Sequence, residues 1–169
     1  MTPNKHLIDA LGDHLDAFSW KLWVSVTVKP YLDEKGQVCR PDNEQAMRTW
    51  GRFNKLLRHE IGHRSEFLGL IERHKEGVTP SFCVHGLFCG EDLKRVSTEV
   101  FREKCLKHLG ETAIETYDPH RGAKHYLVKY LSGDGEAELI FSRNLPRWLR
   151  SIEDSSQRAH AEAILALRP

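Results

Sequence analysis

Residues 67–88, FLGLIERHKEGVTPSFCVHGLF, decide the fold. Phe67, Leu68, Leu70 and Ile71 lead into Glu72, Gly77 and Pro80 break the chain, and Phe82, Val84 and Leu87 resume the apolar run. Gly and Pro between two such runs predict two β-strands joined by a turn. The polar exceptions are Glu72, Cys83 and His85. Side chains two apart on a strand share a face, so Cys83 and His85 project together, and Glu72 on the neighbouring strand can join them. That makes a candidate three-ligand metal site. Residues 125–132, HYLVKYLS, read as a helix on which Tyr126 and Tyr130, four apart, share a face with Lys129 beside them. Two phenols and an ammonium can therefore face the strand pair.

Working outward, Trp23, Val24, Val26 and Val28 with Ser25 and Thr27 between them predict a strand ended by Lys29 and Pro30. Asp33 to Gly36 reads as a loop. Asp42 with Gln45 three residues on resembles a capping box, and Ala46, Trp50, Phe53, Leu56 and Leu57 recur at helical spacing to about His59. Beyond the central strands, Glu91 and Asp92 open a helix with Leu93, Val96, Val100, Leu106 and Leu109 as its apolar set, closed by Gly110. Residues 112–117 alternate as a strand, and residues 138–141 form another after a turn at Gly133, Asp134 and Gly135. An amphipathic helix over 4–18 and helices over 146–152 and 155–167 complete the pattern. The expected fold class is α+β: a mainly antiparallel, five-stranded sheet with helices packed on it.

The chain of 169 residues, 40% apolar and 29% charged, suits one globular domain over 1–169. Its core spans about 20–142, and the terminal helices are additions. With a formal net charge of +1, a nucleic-acid partner must be held by a local basic face. Cys39, Cys83, Cys89 and Cys105 show no CxxC pairing, and no apolar leader opens the sequence, so reduced thiols in a cytoplasmic protein are expected. No apolar run reaches the roughly 20 residues that span a bilayer, so no membrane is expected as a partner.

A strand reading WVSVTVKP, a long helix, IERHKEG, a strand carrying CVHGLF and a helix reading YLVKYLS resemble, in that order, the HUH endonucleases. Among them the rolling-circle replication initiators (Rep proteins) of plasmids and phages are most similar. The resemblance covers roughly residues 20–142. It implies metal-dependent nicking and strand transfer of single-stranded DNA through a 5′-phosphotyrosine intermediate. It also implies Mn²⁺ or Mg²⁺, single-stranded or hairpin origin DNA, a helicase as a further partner, and a bacterial or archaeal host. His85 matches the second motif histidine, Glu72 the acidic ligand, Tyr126 and Tyr130 the tyrosine pair, and Lys129 the lysine between them. Chemistry agrees with this assignment. A phosphodiester repels nucleophiles until a cation polarises it, and a phenol near pKa 10 needs activation. The resemblance also favours Tyr130 as the first nucleophile, because in related one-tyrosine initiators the nucleophile follows a lysine.

Two positions depart from the family pattern. Cys83 stands where the first motif histidine is expected, and a thiolate favours Zn²⁺ over Mg²⁺, so the Cys-His-Glu set takes Mn²⁺ weakly, takes Zn²⁺, or holds nothing. Gly133 stands where a lysine is frequent; His59, His63 and His74 are possible substitutes as ligands. A competing reading is a binding module of the same fold, catalytically weakened or inactive, that grips DNA through Arg48, Arg52, Lys55 and Trp50, with Lys124 as a further DNA contact. A hydrolase using Cys83 and His85 is disfavoured, because adjacent same-face positions on one strand lack in-line geometry. Taken singly, each residue also has a plain packing role.

Overall fold

Alternating β-branched residues at Leu22–Val28 form β1, and the computed structural model builds a sheet outward from it on both sides. It describes residues 12–74, 81–127 and 136–145, with 159, 162, 163 and 166 besides. β4 (Glu66–His74) and β5 (Ser81–Cys89) pair antiparallel, as the apolar runs around Gly77 and Pro80 predict. β6 (Thr112–Thr116) and β7 (Glu136–Phe141) close the two edges. The order is β6-β1-β5-β4-β7 with every neighbouring pair antiparallel, so the chain has the expected α+β class and five-stranded sheet.

One face of the sheet carries the larger helices. α1 (Asn43–Ile61) starts where Asp42 accepts a hydrogen bond from the Gln45 N–H at 2.7 Å and stops at Gly62, whose φ of 81° only glycine adopts freely. It buries Ala46, Trp50, Phe53 and Leu57 against Val24, Val84 and Phe88. α2 (Thr98–His108) adds Phe101 and Cys105 to the same core. Trp50 lies so close to the sheet that a Cβ on Gly86 would stand 2.7 Å from its ring. Gly86→Ala is therefore expected to destabilise by about 1–3 kcal/mol through overpacking. Thermal unfolding should show this as a loss of several degrees, and an unchanged midpoint would mean that Trp50 relaxes away freely.

The other face carries smaller elements. Leu15, Phe18 and Trp20 from the N-terminal segment, helical over 12–16, pack with α3 (Gly122–Tyr126) against Trp23, Leu68, Leu70 and Leu87. Beside them Ser25, Thr27 and Cys83 are only partly buried.

Three elements differ from the sequence pattern. The loop at Asp33 to Gly36 is the tip of a small hairpin, β2 (Tyr31–Leu32) with β3 (Val38–Cys39), in which Asp33 Oδ1 accepts from the Lys35 and Gln37 N–H groups. Two-residue strands carry too little alternation to be read from sequence. The helix expected from Glu91 is a 3₁₀ turn, Glu91–Arg95, and then α2, because Ser97 caps a new start by accepting from the Val100 N–H at 3.5 Å. α3 begins at Gly122 rather than His125, and residues 128–135 lie outside the described residues. So do the helices expected over 146–152 and most of 155–167. Among the described residues, no helix is long and apolar enough to cross a membrane.

Candidate active site

Strand register fixes which polar side chains meet. Thr27, Cys83 and Glu72 stand side by side across β1, β5 and β4, and Ser25, His85 and Leu70 form the next row. Alternation puts all six on the face shared with α3. The Glu72 side chain does not turn to Cys83, directly opposite it. Its Oε2 lies 3.1 Å from His85 Nε2, and both side chains are buried, at 8% and 4% exposure. Burial of a carboxylate beside an imidazole carries a desolvation penalty that their mutual hydrogen bond offsets.

Cys83 turns the other way. Its thiol donates to Thr27 Oγ1 at 3.8 Å, and burial pushes its pKa above that of an ordinary thiol, with Glu72 and Glu111 adding to the rise. The thiol is therefore neutral at pH 7. Among the described residues, no three His, Cys, Asp or Glu side chains converge as a metal-holding group. Glu72 Oε2 and His85 Nε2 are engaged with each other, so both atoms would have to give up this hydrogen bond, and the proton in it, before holding a hard cation such as Mn²⁺ or Mg²⁺. Zn²⁺ requires the Cys83 thiol to leave Thr27 and lose its proton.

Trp23 links this pair to α3. Its ring lies nearly parallel to His85, at 18° and 6.2 Å between centroids, and its centroid is 5.7 Å from that of the tilted Tyr126 ring. Its Nε1–H donates to the Tyr126 carbonyl at 3.0 Å. At the opposite end of α3, Arg121 gives no side-chain cap. Asp16 serves instead: its Oδ1 accepts from the Ala123 N–H and, at 3.0 Å, from the Tyr117 hydroxyl. Burial and the Asp16 charge hold the Tyr117 phenol protonated well above the usual tyrosine range. Both ends of α3 are thus tied to parts of the chain distant in sequence.

Tyr126 itself faces inward, contrary to the expectation of two phenols above the strands. It is 2% exposed, its ring packs on Trp23 and Tyr117, and its hydroxyl accepts from the Asp118 N–H at 3.3 Å. Enclosed this way, the phenol meets a phosphate only if α3 moves, and the similarly buried Glu72 and His85 need the same opening to meet one. Lys129 and Tyr130 lie outside the described residues, as does the side chain of Lys124 on α3.

No family model, curated protein or solved structure matches this chain. The site is therefore read from its geometry.

The DNA-binding residues expected on α1 sit on the far side of the sheet from Glu72 and His85. Arg52 and Lys55 are exposed there, and Arg48 is paired with Glu44 at 2.6 Å. Trp50 cannot stack a base, because it is 2% exposed among Phe53, Phe67 and Phe88. His59 is on the outer side of α1, and His63 is bound to Asp92 at 2.6 Å, so neither replaces Cys83 as a ligand. The side chain of His74 lies outside the described ones. Sequence reasoning missed Trp23 and Asp16. Alternation in WVSVTV does place Trp23 on the face of Ser25 and Thr27, which was signal enough for the first. Asp16 acts across 107 positions, and no local pattern marks it.

The thiols give a direct check on burial. Cys39 is half-buried, whereas burial raises Cys89 and Cys105 to about 12. In native protein at pH 8, maleimide should label Cys39 first and Cys83 slowly, with Cys89 and Cys105 reacting only after unfolding. Early labelling of Cys89 would contradict its place in the core.

Proposed function

We propose that this chain nicks and rejoins single-stranded DNA through a tyrosine-linked intermediate. One observation supports the reading most: a buried Glu72–His85 pair on the central strands, one aromatic ring away from the helix that leads into Lys129 and Tyr130. A divalent cation held by Glu72 and His85 would neutralise charge on the scissile phosphate. The Glu72–His85 hydrogen bond would give way to that cation, and Trp23 holds the His85 ring on one side. Tyr130, three residues beyond the last described residue of that helical turn, is the nucleophile. Its oxygen forms a bond to phosphorus as the bond from phosphorus to the 3′-oxygen breaks. The phenol loses its proton and the departing 3′-oxygen gains one, so the reverse step rejoins the strand.

Tyr126 is assigned to packing rather than chemistry, which makes this a one-tyrosine arrangement unless α3 rotates. An end-labelled origin oligonucleotide incubated with Mn²⁺ should leave label on protein that survives denaturing electrophoresis. His85→Ala and Glu72→Ala should each slow that transfer on the order of 100-fold, the scale of losing one charge-stabilising group. Transfer at the wild-type rate in both variants would overturn the assignment.

The orientation of Cys83 favours a second reading, a DNA-binding module with weakened chemistry. Its thiol is committed to Thr27 rather than to the Glu72–His85 pair. That protein would bind the oligonucleotide and leave no covalent product.

A further inference from the structure

We propose that a cationic groove at the flank of α1 is a second nucleic-acid contact, which grips the phosphodiester backbone outside the cleaved segment. This rests on the DNA-processing reading above. The groove, of about 430 Å³, is walled by Lys55 and Arg58 from α1, Arg64 from the turn before β4 and Arg143 just after β7. All four are exposed.

Their gathering at one groove distinguishes them. Several cations elsewhere are neutralised locally: Arg48 by Glu44, Lys94 by Glu91, Lys104 by Glu60, Arg95 by Asp92 and Arg121 by Asp118. Among the described residues, Lys55, Arg58, Arg64 and Arg143 form no ion pair. Glu66, the acid lining the groove, has its carboxylate bonded to the Ser142 hydroxyl at 2.5 Å. A chain of net charge +1 thus gathers unneutralised charge in one place. Three of the four are arginines, whose planar forks suit phosphate oxygens.

An independent feature points to the same groove. Gly51 occupies the middle of α1, where glycine is costly to a helix. No packing requires it, since a Cβ there would meet nothing within 4 Å, and its φ is not positive. Gly51 lines the groove between Met47 and Lys55, one turn away on either side. Its missing side chain leaves room for a ligand.

The groove and the Glu72–His85 pair hold different stretches of DNA. Glu66 at the groove and Glu72 at the pair are six positions apart on β4, about 20 Å along the strand, and α1 with its groove cations packs on the face opposite the pair, so the DNA would have to round the end of the sheet. The groove therefore takes the flanking backbone, single-stranded or duplex, and the pair takes the scissile phosphate.

Binding without metal tests this apart from cleavage. Fluorescence anisotropy of a labelled single strand and of a labelled hairpin, in EDTA, is followed from 50 to 300 mM salt. Combined Lys55→Gln, Arg58→Gln, Arg64→Gln and Arg143→Gln should weaken binding roughly 100-fold or more and flatten the plot of log affinity against log salt by about 3. The arm showing the larger change identifies the form of DNA held. Gly51→Glu, which keeps every cation and suits a helix better than glycine, should lower affinity about tenfold by placing a carboxylate in the groove. Lys94→Gln with Arg95→Gln, both paired cations, should change binding little.

Wild-type affinity and salt slope in the fourfold variant, or full binding by Gly51→Glu, would overturn the groove. So would displacement of DNA by an acidic peptide of equal charge as effectively as by unlabelled DNA. A fourfold variant that binds poorly yet still attaches a short oligonucleotide at saturating concentration supports both sites. Groove-dependent binding with no attachment in wild type supports the groove and removes the nicking reading.

Discussion

Tyr130→Phe is expected to reduce covalent attachment of DNA by at least about 10³-fold, whereas Tyr126→Phe keeps it within a fewfold of wild type. Spacing alone treats the two phenols as equivalent, since four residues is one helical turn. Burial argues against the first. Tyr126 is 2% exposed and its hydroxyl accepts from the Asp118 backbone, so its removal costs about 1 kcal/mol of stability and no reacting oxygen. Tyr130 is the phenol to which the proposal gives the attack. Rates measured on both variants, with thermal midpoints alongside, separate chemistry from folding. If Tyr126→Phe abolishes attachment while Tyr130→Phe is active, then α3 turns its buried phenol outward during the reaction.

Trp23→Ala is expected to destabilise by about 3–5 kcal/mol, the range for removing a large buried aromatic side chain. Stabilities of whole domains are only about 5–15 kcal/mol, so partial unfolding at 37 °C is an expected result. Three contacts vanish together: the faces toward His85 and Tyr126, and the bond to the Tyr126 carbonyl. Trp23→Phe is the more informative variant, because it keeps an aromatic ring while removing the indole N–H and part of the ring volume. Its stability should fall by about 1–3 kcal/mol, while attachment of DNA slows more than that loss implies, because α3 is then free to shift relative to His85. Equal effects on folding and on rate would reduce Trp23 to a packing residue. Denaturant unfolding and attachment kinetics on one preparation decide between these outcomes.

The sheet was legible because its strands alternate cleanly and its breaks fall at Gly and Pro. Phe82, Val84 and Leu87 could only be a strand after Pro80, and Asp42 with Gln45 marked the start of α1 correctly. Local chemistry also placed Glu72, Cys83 and His85 on one face, which strand register requires. What sequence could not supply was the direction each side chain takes once there. Glu72 is opposite Cys83 yet reaches diagonally to His85, and Cys83 chooses Thr27. Such choices depend on lengths and neighbours across three strands. The inward turn of Tyr126 is of the same kind. It follows from Trp23 and Asp16 gripping opposite ends of a five-residue helix, contacts separated by 103 and 107 positions.

Peptide mapping of the protein–DNA adduct tests the central claim most directly. Trypsin cuts after Lys124, Lys129 and Arg143, so Tyr126 falls on HYLVK and Tyr130 on YLSGDGEAELIFSR. After the attached strand is trimmed by nuclease, mass spectrometry should find the residual nucleotide on YLSGDGEAELIFSR, with far less of it formed in the same time when Glu72 or His85 is replaced by Ala. A nucleotide on HYLVK, or no adduct from any origin oligonucleotide with Mn²⁺ or Mg²⁺, would contradict it.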